Sequence, residues 1–154
     1  MTCSIDIIFA KALGCYIEID YGKKLRSIRF VKSKEYLNDR KTQSTSYDLE
    51  RYFKGEKIDF SCELDISHLS PFTQKLLEET RKIRYGTTIT YSELARNIGC
   101  RGARAVGGAL ANNPIPIVIP CHRVVAKHGI GGYSAGADIK TRLLELEKAK
   151  ANNL

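Results

Sequence analysis

The segment Ile119-Pro120-Cys121-His122-Arg123-Val124-Val125 places a nucleophile, a base and a fixed positive charge at consecutive positions. Cysteine attacks as its thiolate, and the ordinary thiol pKa of about 8.5 falls beside cationic groups and hydrogen-bond donors. Imidazole can take the thiol proton, directly or through water. A carboxylate that orients the imidazole would complete a Cys–His–acid relay. Adjacent residues on a straight strand face opposite ways. Cys121 and His122 therefore cooperate only where the chain turns or where water links them. A buried, inert cysteine fits the same dipeptide, so the pair alone does not decide between chemistry and packing.

A second informative stretch is Ala103-Arg104-Ala105-Val106-Gly107-Gly108-Ala109-Leu110, nearly all small residues. Two glycines inside a helix cost roughly 1 kcal/mol each relative to alanine. Either another helix packs closely on them, or something outside the chain approaches a slim helix. Apart from Arg104 this helix carries little that could read base edges, so it suits the minor groove, about 6 Å wide. Docking would then run through phosphates and backbone amides without reading sequence. Ala103, Arg104, Ala105, Gly107 and Gly108 are the expected contact residues.

These segments need elements to hold them. Thr90-Tyr91-Ser92-Glu93 is a capping box that opens a helix to about Ile98, ended by Gly99. A second helix, Ala103–Asn112, closes at Asn113-Pro114, because the residue before proline is pushed out of helical space. The two resemble a helix-turn-helix. Ser70-Pro71 starts an earlier helix, with Phe72, Leu76, Leu77 and Ile83 as its apolar stripe and Gly86 as its end. Pro114–Pro120 reads as extended and buried. Asp138–Lys148 reads as a last helix with Ile139, Leu143, Leu144 and Leu146 apolar. Upstream, Ser4–Ala10, Cys15–Ile19 and Leu25–Val31 read as an antiparallel meander. Ser46–Lys54 reads as a helix with Gly55 at its C-cap, and Ile58–Ile66 as extended. The predicted class is α+β: a β-rich domain over residues 1–68 and a helical domain over 69–154.

Charge follows the same division. The 154 residues carry a formal charge of +8. Residues 1–69 hold 12 basic and 11 acidic side chains, whereas residues 70–154 hold 13 and 6. Arg123 is one of eight basic residues between Arg81 and Lys127, against the single acid Glu93, and is expected at the same DNA-facing surface. A basic half joined to a near-neutral half suggests a polyanionic partner. No run of 18 apolar residues occurs, and the N-terminus lacks a basic stretch followed by a long apolar one, so neither a membrane span nor a secretory signal is expected. The five cysteines form no C-x-x-C pair. That predicts no metal site, and mostly reduced thiols in a cytoplasmic protein, or a nuclear one in a eukaryote.

Pro-Cys-His-Arg-Val-Val following Asn113-Pro114-Ile115-Pro116 closely resembles the acceptor-site signature of O6-alkylguanine-DNA alkyltransferases, and the match is colinear from about Pro71 to Glu147. The resemblance implies a ribonuclease-H-like α/β domain followed by a helical domain with the helix-turn-helix and the chemistry. It implies single-turnover transfer of the alkyl group from O6-alkylguanine in double-stranded DNA to Cys121, with the damaged nucleotide flipped out; action on O4-alkylthymine stays open. His122 would relay the proton through water, and Glu147 would orient that histidine. Asn113 would support the active-site turn, Tyr91 would contact the base and donate a proton, and Arg104 would fill the vacated place in the stack. Tyr133 and Ser134 would line the guanine pocket. No cofactor is implied, and the expected unit is a monomer. Two other readings compete. A lesion sensor of this kind would lack the acceptor cysteine, which is present here. A thiol hydrolase would use Cys121 and His122 but would leave the slim helix and the charge division unexplained.

Overall fold

The computed structural model describes residues 3–32 and 40–148. The chain divides into two compact units, Met1–Asp65 and Ile66–Leu154. Its described residues form five helices, a small antiparallel sheet and one short parallel pair, a mixed α+β architecture.

In the first unit, strands β1 (Ser4–Ala10), β2 (Cys15–Tyr21) and β3 (Leu25–Val31) form the expected antiparallel meander in the order β1-β2-β3. The register pairs Ile8 with Ile17 and Ile19 with Ile28, which stacks the β-branched side chains across one face. Helix α1 (Ser44–Phe53) packs on β1 with Leu49 and Tyr52 fully buried. It ends at Lys54, and Gly55 follows with φ 94°, the left-handed conformation that glycine adopts without strain.

The N-cap residue of α1, Gln43, makes no side-chain cap. Asp6 of β1 does the work instead. Its carboxylate accepts from the amides of Thr42 (2.8 Å) and Gln43 (3.0 Å) and from the hydroxyls of Thr42 (2.6 Å) and Ser46 (2.6 Å). Burial pushes this carboxyl up, but the hydrogen bonds outweigh it and the pKa lies below its ordinary value. The segment expected to be extended over 58–66 forms no strand. It touches β3 through an isolated bridge between Leu64 and Leu25.

The first helix of the second unit is α2 (Pro71–Arg81). Ser70 caps it by accepting from the Thr73 amide (3.2 Å), with Pro71 at the first position. Leu76 and Leu77 are buried, but Phe72 is exposed and Ile83 lies beyond the helix end. The helix therefore stops short of Gly86, and the following turn buries Ile83 instead. Helices α3 (Tyr91–Asn97) and α4 (Ala103–Leu110) pack on each other and on α2, with Leu76, Leu94 and Val106 fully buried. The capping box at Thr90 is complete, and Gly99 turns the chain at φ 71°. Helix α5 (Ala137–Leu146) packs against a 3-10 turn at Cys121–Arg123.

Two features depart from the sequence reading. Pro114–Pro120 is buried from Ile115 on, as expected, but is not extended: Ile119 donates to the Ile115 carbonyl (2.9 Å), and Ile117 sits at φ 76°. Its three prolines supply no ladder donors, so the loop folds on itself and on Asn113. A β-branched residue at positive φ is strained backbone, held here by the packing around it. The second feature is a parallel pair between β4 (Ile89–Thr90) and β5 (Val124–Val125). It joins the start of α3 directly to the residues after Cys121, which sets Tyr91 and Cys121 beside one cavity.

Candidate active site

The turn at Cys121 resolves the geometric problem posed by the Cys-His pair. Cys121 donates its amide to the Ile119 carbonyl (2.7 Å) and Arg123 donates to Pro120 (2.9 Å), so the chain coils through a 3-10 turn rather than running straight. Cys121 is 8% exposed and lines a cavity of about 660 Å3 with Tyr91, Gly132, Tyr133 and Ser134. Ala103, Arg104, Gly107, Gly108, Leu110 and Ala111 of the α4 region line the same cavity. Ala105 is exposed on α4 and does not line it. The volume falls within the range of small-molecule sites.

Asn113 ties the loop to the thiol. Its Nδ2 donates to the Ile119 carbonyl (3.0 Å) and to Cys121 Sγ (3.2 Å), while its Oδ1 accepts from the Ile115 amide (2.9 Å). Burial pushes the Cys121 thiol up. Hydrogen bonds from Asn113 and Tyr133 and the nearby charge of Lys140 oppose that rise without cancelling it. At rest Cys121 is therefore a thiol that needs a base.

That base stands next in sequence. His122 is fully buried, and its Nε2–H donates to Glu147 Oε1 at 2.8 Å. With Nε2 carrying the proton, Nδ1 holds the lone pair. Burial lowers the His122 pKa despite the facing carboxylate. Glu147 is the C-cap residue of α5. Burial alone would raise its carboxyl, but the hydrogen bonds and charges of His122 and Arg123 outweigh burial and bring it from 4.5 to about 2.

Arg123 does not stand on the exposed surface, where its place in the charge run put it. It is 6% exposed. Its Nε donates to Glu147 Oε2 (2.9 Å), its Nη2 to Oε1 (2.8 Å), and its Nη1 to the Ile83 carbonyl (2.7 Å). The Tyr85 ring lies against the guanidinium at 5.6 Å. A guanidinium buried against a bidentate carboxylate partner is turned inward, away from any phosphate at the surface.

The glycines of α4 separate the two explanations for that helix. A Cβ at Gly108 would meet nothing within 4 Å, and one at Gly107 would reach only ordinary contact with the Tyr91 ring at 3.9 Å. Among the described residues, no close helix packing requires them. Their lack of side chains leaves that wall of the cavity open to something from outside.

The match to known proteins runs through these same residues. Residues 71–149, over half of the chain, match the family described as 6-O-methylguanine DNA methyltransferase, DNA binding domain. The chain belongs to this methyltransferase family. A methylated-DNA–protein-cysteine methyltransferase of Metallosphaera sedula is 44% identical over 99 residues, which make up 64% of this chain and 63% of that relative, under two thirds of its length. The crystal structure of Mycobacterium tuberculosis O6-methylguanine methyltransferase superposes with TM-score 0.79 at 34% identity, covering 96% of this chain and 93% of that one. A structure of Mycobacterium tuberculosis OGT in complex with DNA gives TM-score 0.78 at 36% identity, over 92% and 91% of the two chains.

Two residues of this methyltransferase-family site escaped the sequence reading. Lys140 is fully buried on α5. Its Nζ donates to the Val124 carbonyl (2.6 Å), the Gly132 carbonyl (3.0 Å) and the Tyr91 hydroxyl (3.3 Å), and burial lowers its pKa from 10.5 to about 8. A signal was present: Lys140 sits at helical spacing from Leu143, Leu144 and Glu147, on the apolar stripe of the helix. The other is Gly131, at φ 76°, where a Cβ would stand 2.7 Å from the Tyr91 ring and 2.8 Å from its hydroxyl oxygen. Only glycine lets Tyr91 donate to the neighbouring Gly132 carbonyl at 3.2 Å.

Proposed function

We propose that this chain repairs DNA by direct reversal, transferring the alkyl group of O6-alkylguanine to Cys121 in a single turnover. The observation that carries the reading is the Cys121 thiol in the wall of an open cavity, with the hydrogen-bonded His122–Glu147 pair joined to it through the same 3-10 turn. In the reaction, the thiol proton passes to His122 Nδ1, directly or through water, while Glu147 holds the imidazole by Nε2. The sulfur attacks the carbon on O6. The S–C bond forms as the C–O6 bond breaks, and the electron pair of that bond stays with the guanine. Tyr91 donates a proton to the departing base, so guanine leaves neutral. The Lys140 ammonium, next to the phenol oxygen, steadies negative charge on Tyr91 and on the sulfur. A thioether does not hydrolyse readily, so Cys121 is consumed.

O6 of a paired guanine is enclosed by the base stack, so the nucleotide must flip out of the duplex. In this reading α3 and α4 act as a helix-turn-helix, with the slim face of α4 in the minor groove. Arg104, exposed on α4 at the cavity, fills the vacated place in the stack. Tyr133 and Ser134 line the guanine pocket. Ala103, Gly107 and Gly108 meet the backbone together with Ala105. The first unit is the family's ribonuclease-H-like domain and residues 69–154 its DNA-binding and acceptor domain. The protein works as a cytoplasmic monomer on double-stranded DNA, without sequence preference and without a cofactor.

Mass spectrometry after mixing with an O6-methylguanine duplex tests the reading. A stoichiometric gain of about 14 Da on Cys121 is expected for one methyl replacing one proton. Multiple turnovers with an unmodified protein would make it a thiol hydrolase and overturn the proposal. Arg104→Ala should slow repair of duplex DNA more than attack on the free base; equal slowing would refute the stack-filling role.

A further inference from the structure

Arg123 lies outside the cavity lining, and no step of the transfer uses it directly. Yet all three nitrogens of its guanidinium donate inward, two to Glu147 and one to the Ile83 carbonyl, with the Tyr85 ring against it. Among the described residues, the charged groups that act on His122 include Glu147 and Lys140 from α5 and Arg123 on its own turn, where Cys121 precedes it. Of these, Glu147 favours an imidazolium, and the two cations oppose one. Arg123 binds both oxygens of Glu147, and its Nη2 shares Oε1 with His122. The guanidinium thus neutralises the carboxylate that would otherwise draw a proton onto His122.

We infer that Arg123 is a positioning residue that sets the resting charge of the relay: by neutralising and aiming Glu147, it keeps His122 an uncharged base ready for the Cys121 proton. Without it the buried carboxylate would find its counter-charge in His122. The imidazolium would then have no lone pair with which to accept the thiol proton. The inference rests on the alkyl-transfer reading for its kinetic consequence but not for its charge assignment.

The test combines nitrogen NMR of the imidazoles, assigned against His68 and His128, with single-turnover methyl transfer at about pH 6 and about pH 8.5. In the unsubstituted protein His122 should be neutral, with the proton on Nε2, at about pH 6. An imidazolium there overturns the inference without any variant. In Arg123→Met, His122 should be charged at the lower pH, and the loss of rate there should exceed the loss at the higher pH by about tenfold. Arg123→Lys keeps the charge but not the fork, so it should transfer more slowly while keeping the original pH midpoint. A folded Arg123→Met protein with neutral His122 and equal losses at both pH values would make Arg123 a brace only. An unsubstituted protein that forms no adduct, yet shows neutral His122, would sink the repair reading and leave this assignment standing.

Discussion

Each unit of the molecule buries a carboxylate among hydrogen-bond donors, and the two do different things. Asp6 meets two backbone amides and two hydroxyls. None of those donors changes charge near neutral pH, so the cluster only fastens α1 to β1. Glu147 meets a guanidinium and an imidazole. One of those donors can gain a proton, and it neighbours a thiol at a cavity. Burial and the pKa direction are alike at the two sites. A depressed carboxyl alone therefore does not mark a functional site; the titratable identity of its partners does.

The largest effect that would break this comparison is at the acceptor itself. Cys121→Ala should abolish transfer while DNA binding survives in a gel-shift assay; loss of binding would make Cys121 structural. Next, Glu147→Gln should lower the single-turnover rate by about a hundredfold, the scale of lost general-base support. Asp6→Asn should leave the rate alone and lower the unfolding free energy by about 2 kcal/mol, because an amide cannot accept from all four donors. The reverse pattern would erase the distinction between the clusters.

Acid titration sharpens it further. The folded pKa of Glu147 lies below its ordinary 4.5, at about 2. The folded protein therefore holds fewer protons than the unfolded chain within that window. The stabilisation is complete above 4.5 and disappears as pH falls through about 2. In chemical denaturation, the stability gap between the unsubstituted protein and Glu147→Gln should close over that interval. A gap that stays constant with pH would contradict the assignment. The smallest effect expected is Gly108→Ala. With open space around the added methyl, α4 should gain about 0.5–1 kcal/mol in thermal unfolding. DNA affinity should fall, and a tighter complex would argue against a slim groove-binding helix.

Local structure was largely legible in the sequence, because its causes are local. The meander strands, the Ser70-Pro71 start, the Thr90 capping box and the stops at Gly55 and Gly99 each follow from residues within a few positions. Cys121 and His122 were legible as a nucleophile and base that packing could equally explain; the resemblance tipped the pair to chemistry and brought Glu147, Asn113, Tyr91, Tyr133 and Ser134 alongside them. The errors arose where a distant partner decides. Arg123 reads as one more surface charge until Glu147 arrives from 24 positions away. The buried loop after Asn113 reads as a strand until it finds no strand to pair with.

The sequence by itself determined the reactive groups, the helix caps and the uneven charge, since propensity, capping and ionisation belong to single residues and close neighbours. Only the tertiary structure decided which charge meets which. The β4–β5 pair and the docking of α5 on the 3-10 turn set one arginine against one carboxylate and one lysine among carbonyls. Burial then removes the water that would screen those charges. Their meaning therefore depends on partners that the linear order does not place together.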